Sequence, residues 1–286
     1  MLIHFHSKPW SVLRSAAILL CFAVLQLQTR VASAGVVIQV PVGLKPDAHF
    51  RIIFVTSGTI DATSNNIADY NAFVNSQAQG ATFNGQVIHW SAIASTDSVN
   101  ALMNTDSYSS AAIYMVDGRT QISSAYSDAT RASAGGLWSC ALLAQPTQGI
   151  DGTVYNNATV WTGTSGNGIE YATNIFGSYG LGTQNYGTNP NTGINVFSTP
   201  KVQIGFISAS QTGSNWVQLP NISATNTPGL QTRTNLYQMY AISDDLTLLP
   251  EPSTLLSTGV GLLVMVLVAT SRRKKLSHGL TSEFGR

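Results

Sequence analysis

Charged side chains are scarce in this chain, whose 286 residues include 14 Lys and Arg, 13 Asp and Glu and five His. Between positions 35 and 249, six basic residues stand against eleven acidic ones, so this part carries a net charge of −5 although the whole chain is close to neutral. It offers no basic patch that would neutralise phosphates, and nucleic-acid binding is therefore not expected. Solubility must depend on Ser, Thr, Asn and Gln instead.

Cysteine and histidine are also rare. Outside the N-terminal apolar run the only cysteine is Cys140, which cannot close an internal disulfide by itself. We expect it to be a small buried residue, with an intermolecular bridge or a catalytic thiol as alternatives. Between 35 and 249 the histidines are His49 and His89, without the spacing of a zinc site, so no metal or cofactor is predicted. His89, beside Trp90 in an apolar run, is expected to be packed.

The N-terminal residues 1–34 have the three parts of a secretory signal peptide. Two basic residues precede an apolar run at 16–27, which is short for a membrane span of about 20 apolar residues. Small residues then stand at the −3 and −1 positions of a predicted cut, formed by Ala32, Ala34 and Gly35. Signal peptidase is expected to cut before Gly35; a retained anchor is the alternative.

The C-terminal part contains an apolar run at 254–269 that is flanked by prolines on one side and by basic residues on the other. As a helix the run would be roughly 24 Å long, a marginal span of a ~30 Å hydrocarbon core. Prolines keep such a helix from extending backwards. Four basic residues would hold its other end in the cytoplasm: Arg272, Arg273, Lys274 and Lys275.

The order of these features resembles a known sorting signal. Pro250-Glu251-Pro252, the apolar run and the arginine-led basic cluster are similar to the PEP-CTERM signal of bacterial exosortase substrates. The resemblance implies recognition by an exosortase, cleavage near the tripeptide, and export linked to exopolysaccharide and biofilm matrix. The alternative is a sortase signal, although Pro252 and Ser253 stand where that motif needs Thr and Gly. The predicted organisation is a signal peptide at 1–34, an exported domain at 35–249, a sorting signal with its transmembrane helix and basic cluster at 250–275, and a cytoplasmic tail at 276–286.

The first half of the exported part predicts a strand and two helices. "FRIIFVTSGT" alternates and is β-branched, which indicates a strand from Phe50 to about Thr56. A first helix would bury one face, consisting of Ile67, Tyr70, Val74 and Ala78. A second helix, capped by Ser95 or Thr96, would bury Val99, Leu102 and Met103.

The second half predicts mainly strands. In "AAIYMVDGRTQI" two strand-like halves flank Asp117-Gly118, which suits a two-residue hairpin turn. "GTVYNNATVW", "KVQIGFISAS", "NWVQLP" and "LYQMYAISDDLTLL" indicate further short strands, while 171–200 is rich in Gly, Asn and Thr and is expected to be irregular. Early helices packed on later, mostly antiparallel strands predict a single α+β domain.

A second resemblance concerns this domain. "FVTSGT", "IYMVDGR", "VWTGTSGNG" and "LYQMYAIS", in this order, resemble the endostatin-type branch of the C-type-lectin-like fold. The resemblance implies that the last strand returns beside the first. The chain lacks the disulfide cysteines of classical members, and Leu219-Pro220-Asn221 departs from their calcium and sugar motif. Calcium-dependent sugar binding is therefore not implied, and function has to be argued from a site.

The search for catalytic residues is mostly negative. There is no Gly-x-Ser-x-Gly elbow. Glu170 is the sole glutamate between 35 and 249, and it could form a glycosidase pair with Asp117 or Asp151. Two further sets have a possible binding role. Calcium could use Asp151, Asn156, Asn157 and Glu170. Sugar rings could stack on Trp138, Trp161 and Trp216, although core packing is favoured for each of them.

Two hypotheses follow. The first is an exported, non-enzymatic structural or binding protein, sorted by an exosortase and held at the cell surface, in the outer envelope or in the matrix. Its partners would be signal peptidase and exosortase during export, the membrane before processing, and extracellular polysaccharide or surface proteins afterwards. The second is a secreted hydrolase that acts on matrix polysaccharide and uses Glu170.

Overall fold

The computed structural model describes residues 35–105, 111–124, 136–138, 142–173, 176–208, 213–220 and 228–249. The predicted signal peptide, the PEP motif with its apolar run and basic cluster, and Cys140 lie outside the described residues, so the predictions made for them stay predictions. Within the described ranges, no helix combines the length and the apolar character that a membrane span requires.

The described residues form thirteen strands and two helices. In chain order these are β1 His49–Val55, α1 Ile67–Gln77, β2 Thr82–Phe83, β3 Gln86–Val87, β4 Trp90–Ala92, α2 Ala101–Asn104, β5 Ala112–Met115, β6 Gln121–Ser123, β7 Ala158–Trp161, β8 Ala172–Thr173, β9 Gly177–Ser178, β10 Lys201–Ile207, β11 Leu230–Thr232, β12 Gln238–Ser243 and β13 Leu246–Thr247.

One mixed sheet organises the molecule. Its strand order is β11-β10-β7-β12-β1-β5-β6, with β4 added beside β12 and β13 beside β1. The predicted return of the last long strand beside the first is present, since β12 runs antiparallel to β1 with Ile53 opposite Ile242. Two pairs are parallel, β1 with β5 and β7 with β12, so the sheet is not simply antiparallel.

Strand β1 explains why the sheet has a core on each face. Successive side chains of a strand point to opposite faces. Phe50, Ile52 and Phe54 therefore join the core that also holds the buried face of α1, whereas Ile53 and Val55 join the core on the other side. All five are fully buried. A strand buried on both faces reads as a continuous apolar run, as the central part of "FRIIFV" does.

Helix α1 confirms the first helical prediction. The side chain of Asn66 caps it by accepting a hydrogen bond from the N–H of Ala68 at 3.1 Å. Asp69 lies in the first turn, where a negative charge suits the helix dipole. Tyr70 and Val74 are fully buried, and the Tyr70 hydroxyl donates to the carbonyl of Ser64.

The predicted second helix is wrong. Only Ala101–Asn104 is helical, a single turn, and the supposedly buried Met103 is 59% exposed. Hydroxyl side chains hold the segment as a loop: Ser95 Oγ accepts from the N–H of Ala101, and Thr96 Oγ1 accepts from the N–H of Val99. Ser and Thr offer the backbone such alternatives to a helix.

The α+β fold class is therefore a wrong prediction. The described residues form a mostly β domain on one large mixed sheet, with a single helix longer than one turn. The predicted C-type-lectin-like domain with two early helices and mostly antiparallel strands is wrong in both of these features, whereas the resemblance of the four sequence stretches stays a prediction.

The predicted strand in "NWVQLP" is also wrong. Residues 213–217 form turns, and the N–H groups of Val217 and Gln218 both donate to the carbonyl of Ser214. The turn lies directly on β10, because a Cβ added at Gly205 would stand 1.9 Å from the carbonyl oxygen of Trp216. Burial of Trp216 in the second core, at 1% exposure, sets the conformation of this segment more strongly than its β propensity does.

The hairpin around Asp117-Gly118 is confirmed, since β5 and β6 pair antiparallel. Its connection is longer than the predicted two residues and runs from 116 to 120. Asp117 Oδ1 accepts from the N–H groups of Arg119 and Thr120, both at 2.9 Å, and Gly118 takes a positive φ of 62°. The Asp-Gly signal thus marks the turn but not its length.

Candidate functional site

Two regions collect polar side chains outside the core. The first begins with a small hairpin in which Asn84 and Gly85 join β2 to β3. Their φ angles of 50° and 76° are both positive, as a type I′ turn requires. "FNGQ" carries the Asn-Gly signal of such a hairpin, and sequence reasoning missed it because the flanking strands have only two residues each.

A third segment extends this hairpin. The N–H of Ile38 donates to the carbonyl of Thr82, and the N–H of Thr82 donates to the carbonyl of Val36, each at 2.9 Å. We call residues 36–38 with β2 and β3 the terminal ribbon. Cross-strand pairing places Val37, Thr82 and Val87 in one row.

The terminal ribbon has one buried face and one exposed face. Ile38 and Phe83 point inwards with 3% and 6% exposure, and Phe83 meets Phe50 edge to face at a centroid distance of 5.2 Å. On the outer face Val37 and Val87 are 63% and 65% exposed. The two valines flank Thr82 and leave apolar side chains open to solvent on this face.

A groove of about 420 Å³ separates the terminal ribbon from the last described residues. Among the described residues, its lining contains amide, hydroxyl, imidazole and carboxylate groups but no Lys or Arg. The lining residues are Phe83, Asn84, Gln86, Val87, Ile88, His89, Asp244, Asp245, Leu246, Thr247 and Leu249. His89 is exposed here, so the prediction of a packed histidine is wrong.

A buried cation fixes the acidic side of this groove. Arg51, only 4% exposed, donates from Nε to the carbonyl of Ser243 at 2.7 Å. The same Nε lies 3.7 Å from Asp245 Oδ1. Asp244 is exposed, and its N–H donates to the carbonyl of His89. Among the residues that the structure describes, Asp244 has no ion pair.

Both ends of the described domain meet the ribbon. Gly35 packs so closely on the chain before β2 that an added Cβ would lie 2.5 Å from the carbonyl oxygen of Gly80. At the other end Leu249 lines the groove together with β3 and is 60% exposed. The point of predicted signal cleavage and the residue before the PEP motif therefore lie at the same pole.

The second polar region surrounds Glu170. Its carboxyl group is in hydrogen-bond contact with that of Asp97 and accepts from the N–H of Gly180 at 3.3 Å. The N–H of Glu170 donates to Asn100 Oδ1 at 2.7 Å, and Ser178 Oγ donates to Asp97 Oδ1 at 3.1 Å. We call these five residues the carboxyl pair region. It joins residues 97–100 to residues 170–180, two segments that are distant in sequence.

Burial and a neighbouring charge change the acidity of Glu170. Burial is the main cause, and contact with Asp97 adds to it; together they raise the pKa of Glu170 to about 7. A protonated Glu170 donates to the Asp97 carboxylate. The two carboxyls of a glycosidase are about 5–5.5 Å apart or, in inverting enzymes, about 6.5–9.5 Å apart, which leaves room for sugar or water. Carboxyls in direct contact do not provide that space.

The two acids considered as partners of Glu170 have local roles instead. Burial acts to raise the pKa of Asp117, but hydrogen bonds from the N–H groups of Thr120 and Arg119 outweigh it and hold that pKa below its usual value. The N–H and hydroxyl of Thr153 likewise lower the pKa of Asp151. Both carboxylates thus stabilise their own turns.

The tryptophans are mainly core residues. Trp161 and Trp216 are 0% and 1% exposed, so neither presents a face for sugar stacking. Trp138 is half-buried and stacks on Trp216 at 5.9 Å between centroids. The favoured interpretation as core aromatics is confirmed for Trp161 and Trp216.

Two of the possible calcium ligands, Asp151 and Glu170, are engaged with different partners. Glu170 is engaged with Asp97, whereas Asp151 is engaged with Thr153. In the ranges that the structure describes, no three His, Cys, Asp or Glu side chains are placed so that they could hold a metal ion.

No protein family model matches the chain, and no curated protein matches it.

Proposed function

We propose that this chain is an exported bacterial surface or matrix protein that an exosortase sorts. In this proposal it is a non-catalytic structural or binding component of the exopolysaccharide or biofilm matrix. The observation that carries the proposal is the order of Pro250-Glu251-Pro252, the apolar run at 254–269 and the basic cluster that follows. The signal peptide at 1–34 supplies the matching export signal.

These two signals define the proposed route of export and sorting. The chain crosses the inner membrane, and signal peptidase cuts before Gly35. The apolar run then anchors the domain, and the basic cluster stays in the cytoplasm. Exosortase cuts near the PEP motif, and the protein reaches the cell surface, the outer envelope or the extracellular matrix. Its low-charge surface, rich in hydroxyl and amide groups, suits contact with polysaccharide or with other surface proteins.

Three contacts support a non-catalytic role. Glu170 and Asp97 touch one another, without the gap that glycoside hydrolysis uses. Asp117 and Asp151 accept hydrogen bonds within their own turns. The acids considered for a glycoside hydrolase are thus engaged with one another or with their own turns.

The test is the intact mass of the mature protein recovered from the envelope and medium of the native cell. A mass that runs from Gly35 to a residue near Pro250 is expected. A mass from Gly35 through Arg286, found in the membrane fraction, would contradict sorting and indicate a permanently anchored protein. Co-sedimentation of the mature protein with purified matrix polysaccharide then tests the binding role, with bovine albumin as the control protein.

A further inference from the structure

Gly35 and Leu249, the two ends of the described domain, both lie beside the terminal ribbon. If the proposed function is correct, this position determines which surface surrounds the bond that is cut in the tail. Only residues 250–253 separate Leu249 from the predicted membrane run. Four extended residues span at most about 14 Å. Before cleavage the groove and the terminal ribbon are therefore held close to the membrane surface.

The same distance limits any enzyme that cuts at the PEP motif. Its catalytic groups must come within about three residues, roughly 10 Å, of Leu249. A small protein domain is already about 30 Å across, so it would not reach this bond without covering the neighbouring surface. That surface is the outer face of the ribbon and the groove, because Leu249 lines the groove beside Val87.

The chemistry of the surface identifies the kind of partner. Val37, Val87 and Leu249 are each at least 60% exposed, which provides an apolar contact. Asp244 adds a negative charge without an ion pair among the described residues. Anionic lipid headgroups would be repelled by this carboxylate, whereas a protein with apolar side chains and a basic residue would be attracted.

We propose that the terminal ribbon, the groove and Asp244 form the docking surface for the membrane-embedded protease that cuts the tail. The protease contacts Val37 and Val87 with apolar side chains, and it contacts Asp244 with a basic side chain. Recognition then depends on the folded domain as well as on the tripeptide.

The test uses full-length variants expressed in the native cell, with the precursor and mature forms separated by intact mass. Val87→Glu and Asp244→Lys are each expected to lower the rate of tail cleavage about tenfold, the effect of losing about 1.4 kcal/mol of docking free energy. The matched control is Ile194→Glu, which also places a carboxylate at an exposed apolar position, 66% exposed and outside the groove lining. It is expected to be cut like the wild type.

A linker variant distinguishes slow cleavage that is caused by lost docking from slow cleavage that is caused by misfolding. About 20 Gly and Ser residues inserted between Leu249 and Pro250 let the protease reach the motif without covering the ribbon. In this background Val87→Glu is expected to be cut as fast as its linker parent. Slow cutting that the linker does not rescue would indicate a folding defect and would overturn the docking proposal.

The remaining outcomes separate this inference from the proposed function. If Pro250→Ala blocks cleavage while Val87→Glu and Asp244→Lys are cut normally, sorting stands and docking fails. If the wild-type tail is never cut, the proposed function fails. If mature wild-type protein floats with vesicles of phosphatidylethanolamine and phosphatidylglycerol but Val87→Glu does not, the occupant is lipid, and the protease proposal is overturned.

Discussion

The carboxyl pair region and the β5–β6 turn use the same functional group in opposite ways. In the pair region burial and a second carboxyl raise the pKa of Glu170 to about 7. In the turn, backbone N–H groups outweigh partial burial and lower the pKa of Asp117. The comparison shows that the surroundings of a carboxyl group, rather than its residue type, set its protonation. Burial keeps it protonated near neutral pH, whereas hydrogen-bond donors keep it ionised so that it stabilises a turn.

The largest expected loss of stability comes from adding a side-chain atom inside the carboxyl pair region. A Cβ added at Gly180 would lie 2.6 Å from Glu170 Oε1 and 3.0 Å from the backbone carbon of Thr96. Gly180→Ala is therefore expected to lower the free energy of unfolding by about 1–3 kcal/mol. Urea unfolding at pH 7 measures it, and adding Glu170→Ala should recover part of the loss. An unchanged urea midpoint would show that the loops around Gly180 accommodate the methyl group without loss of stability.

The raised pKa of Glu170 predicts how stability changes with pH. Since its pKa is about 7 in the folded state and 4.5 otherwise, the native state binds the proton more tightly. The resulting stability is fully present below about pH 4.5 and is lost as the pH rises through about 7. Glu170→Gln removes this dependence and should be more stable than the wild type at pH 8 by about 0.5–1 kcal/mol, after allowance for solvent screening.

Urea midpoints at pH 4.5, 6 and 8 check this prediction. Wild-type and Glu170→Gln proteins should have similar midpoints at pH 4.5, should already differ at pH 6, and should differ most at pH 8. The matched control is Asp244→Asn, which also replaces an acid by its amide, at an exposed position outside the pair region. Parallel curves for wild type and Glu170→Gln would contradict the shared proton.

For the β5–β6 turn we expect stability to change with pH in the opposite direction and by a smaller amount. Because the pKa of Asp117 is lowered in the folded state, its contribution is present above the unfolded value of 3.8 and is lost as the pH falls. Asp117→Asn keeps one acceptor for the N–H groups of Arg119 and Thr120 but loses the charge. A loss of about 0.5 kcal/mol at pH 7, shrinking below pH 4, is expected because the carboxylate is only partly buried and solvent screens its charge. Thermal unfolding across this range measures it.

The helices, strands and turns show how much of the fold the sequence could predict. The strand at β1, the helix α1 and the Asp117-Gly118 hairpin depend on neighbours within a few residues, and all three are confirmed. The second helix and the strand in "NWVQLP" fail for two different reasons, the first local and the second tertiary. Hydroxyls of Ser95 and Thr96 hold the first as a loop, while burial of Trp216 sets the second.

The candidate sites were harder to predict than the elements. Asp97 stands 73 positions before Glu170, and no local pattern connects them. The groove joins the hairpin at 83–89 to residues 244–249, which only the sheet topology brings together. Asn84-Gly85 was the one available signal, since it marks the hairpin that forms one wall. The sorting and export signals are contiguous in sequence and stay predictions, because they lie outside the described residues.

The smallest expected effect concerns Ser178. Its hydroxyl donates to Asp97 Oδ1 at 3.1 Å and accepts from the N–H of Gly180 at 3.3 Å, at the exposed rim of the pair region. Ser178→Ala should lower the free energy of unfolding at pH 7 by about 0.5 kcal/mol, as expected for one exposed hydrogen bond. The Glu170–Asp97 contact does not depend on this hydroxyl, so the fall in stability between pH 4.5 and 8 should remain. If Ser178→Ala flattened that dependence as Glu170→Gln does, the proton would be held by the whole loop network rather than by two carboxyl groups.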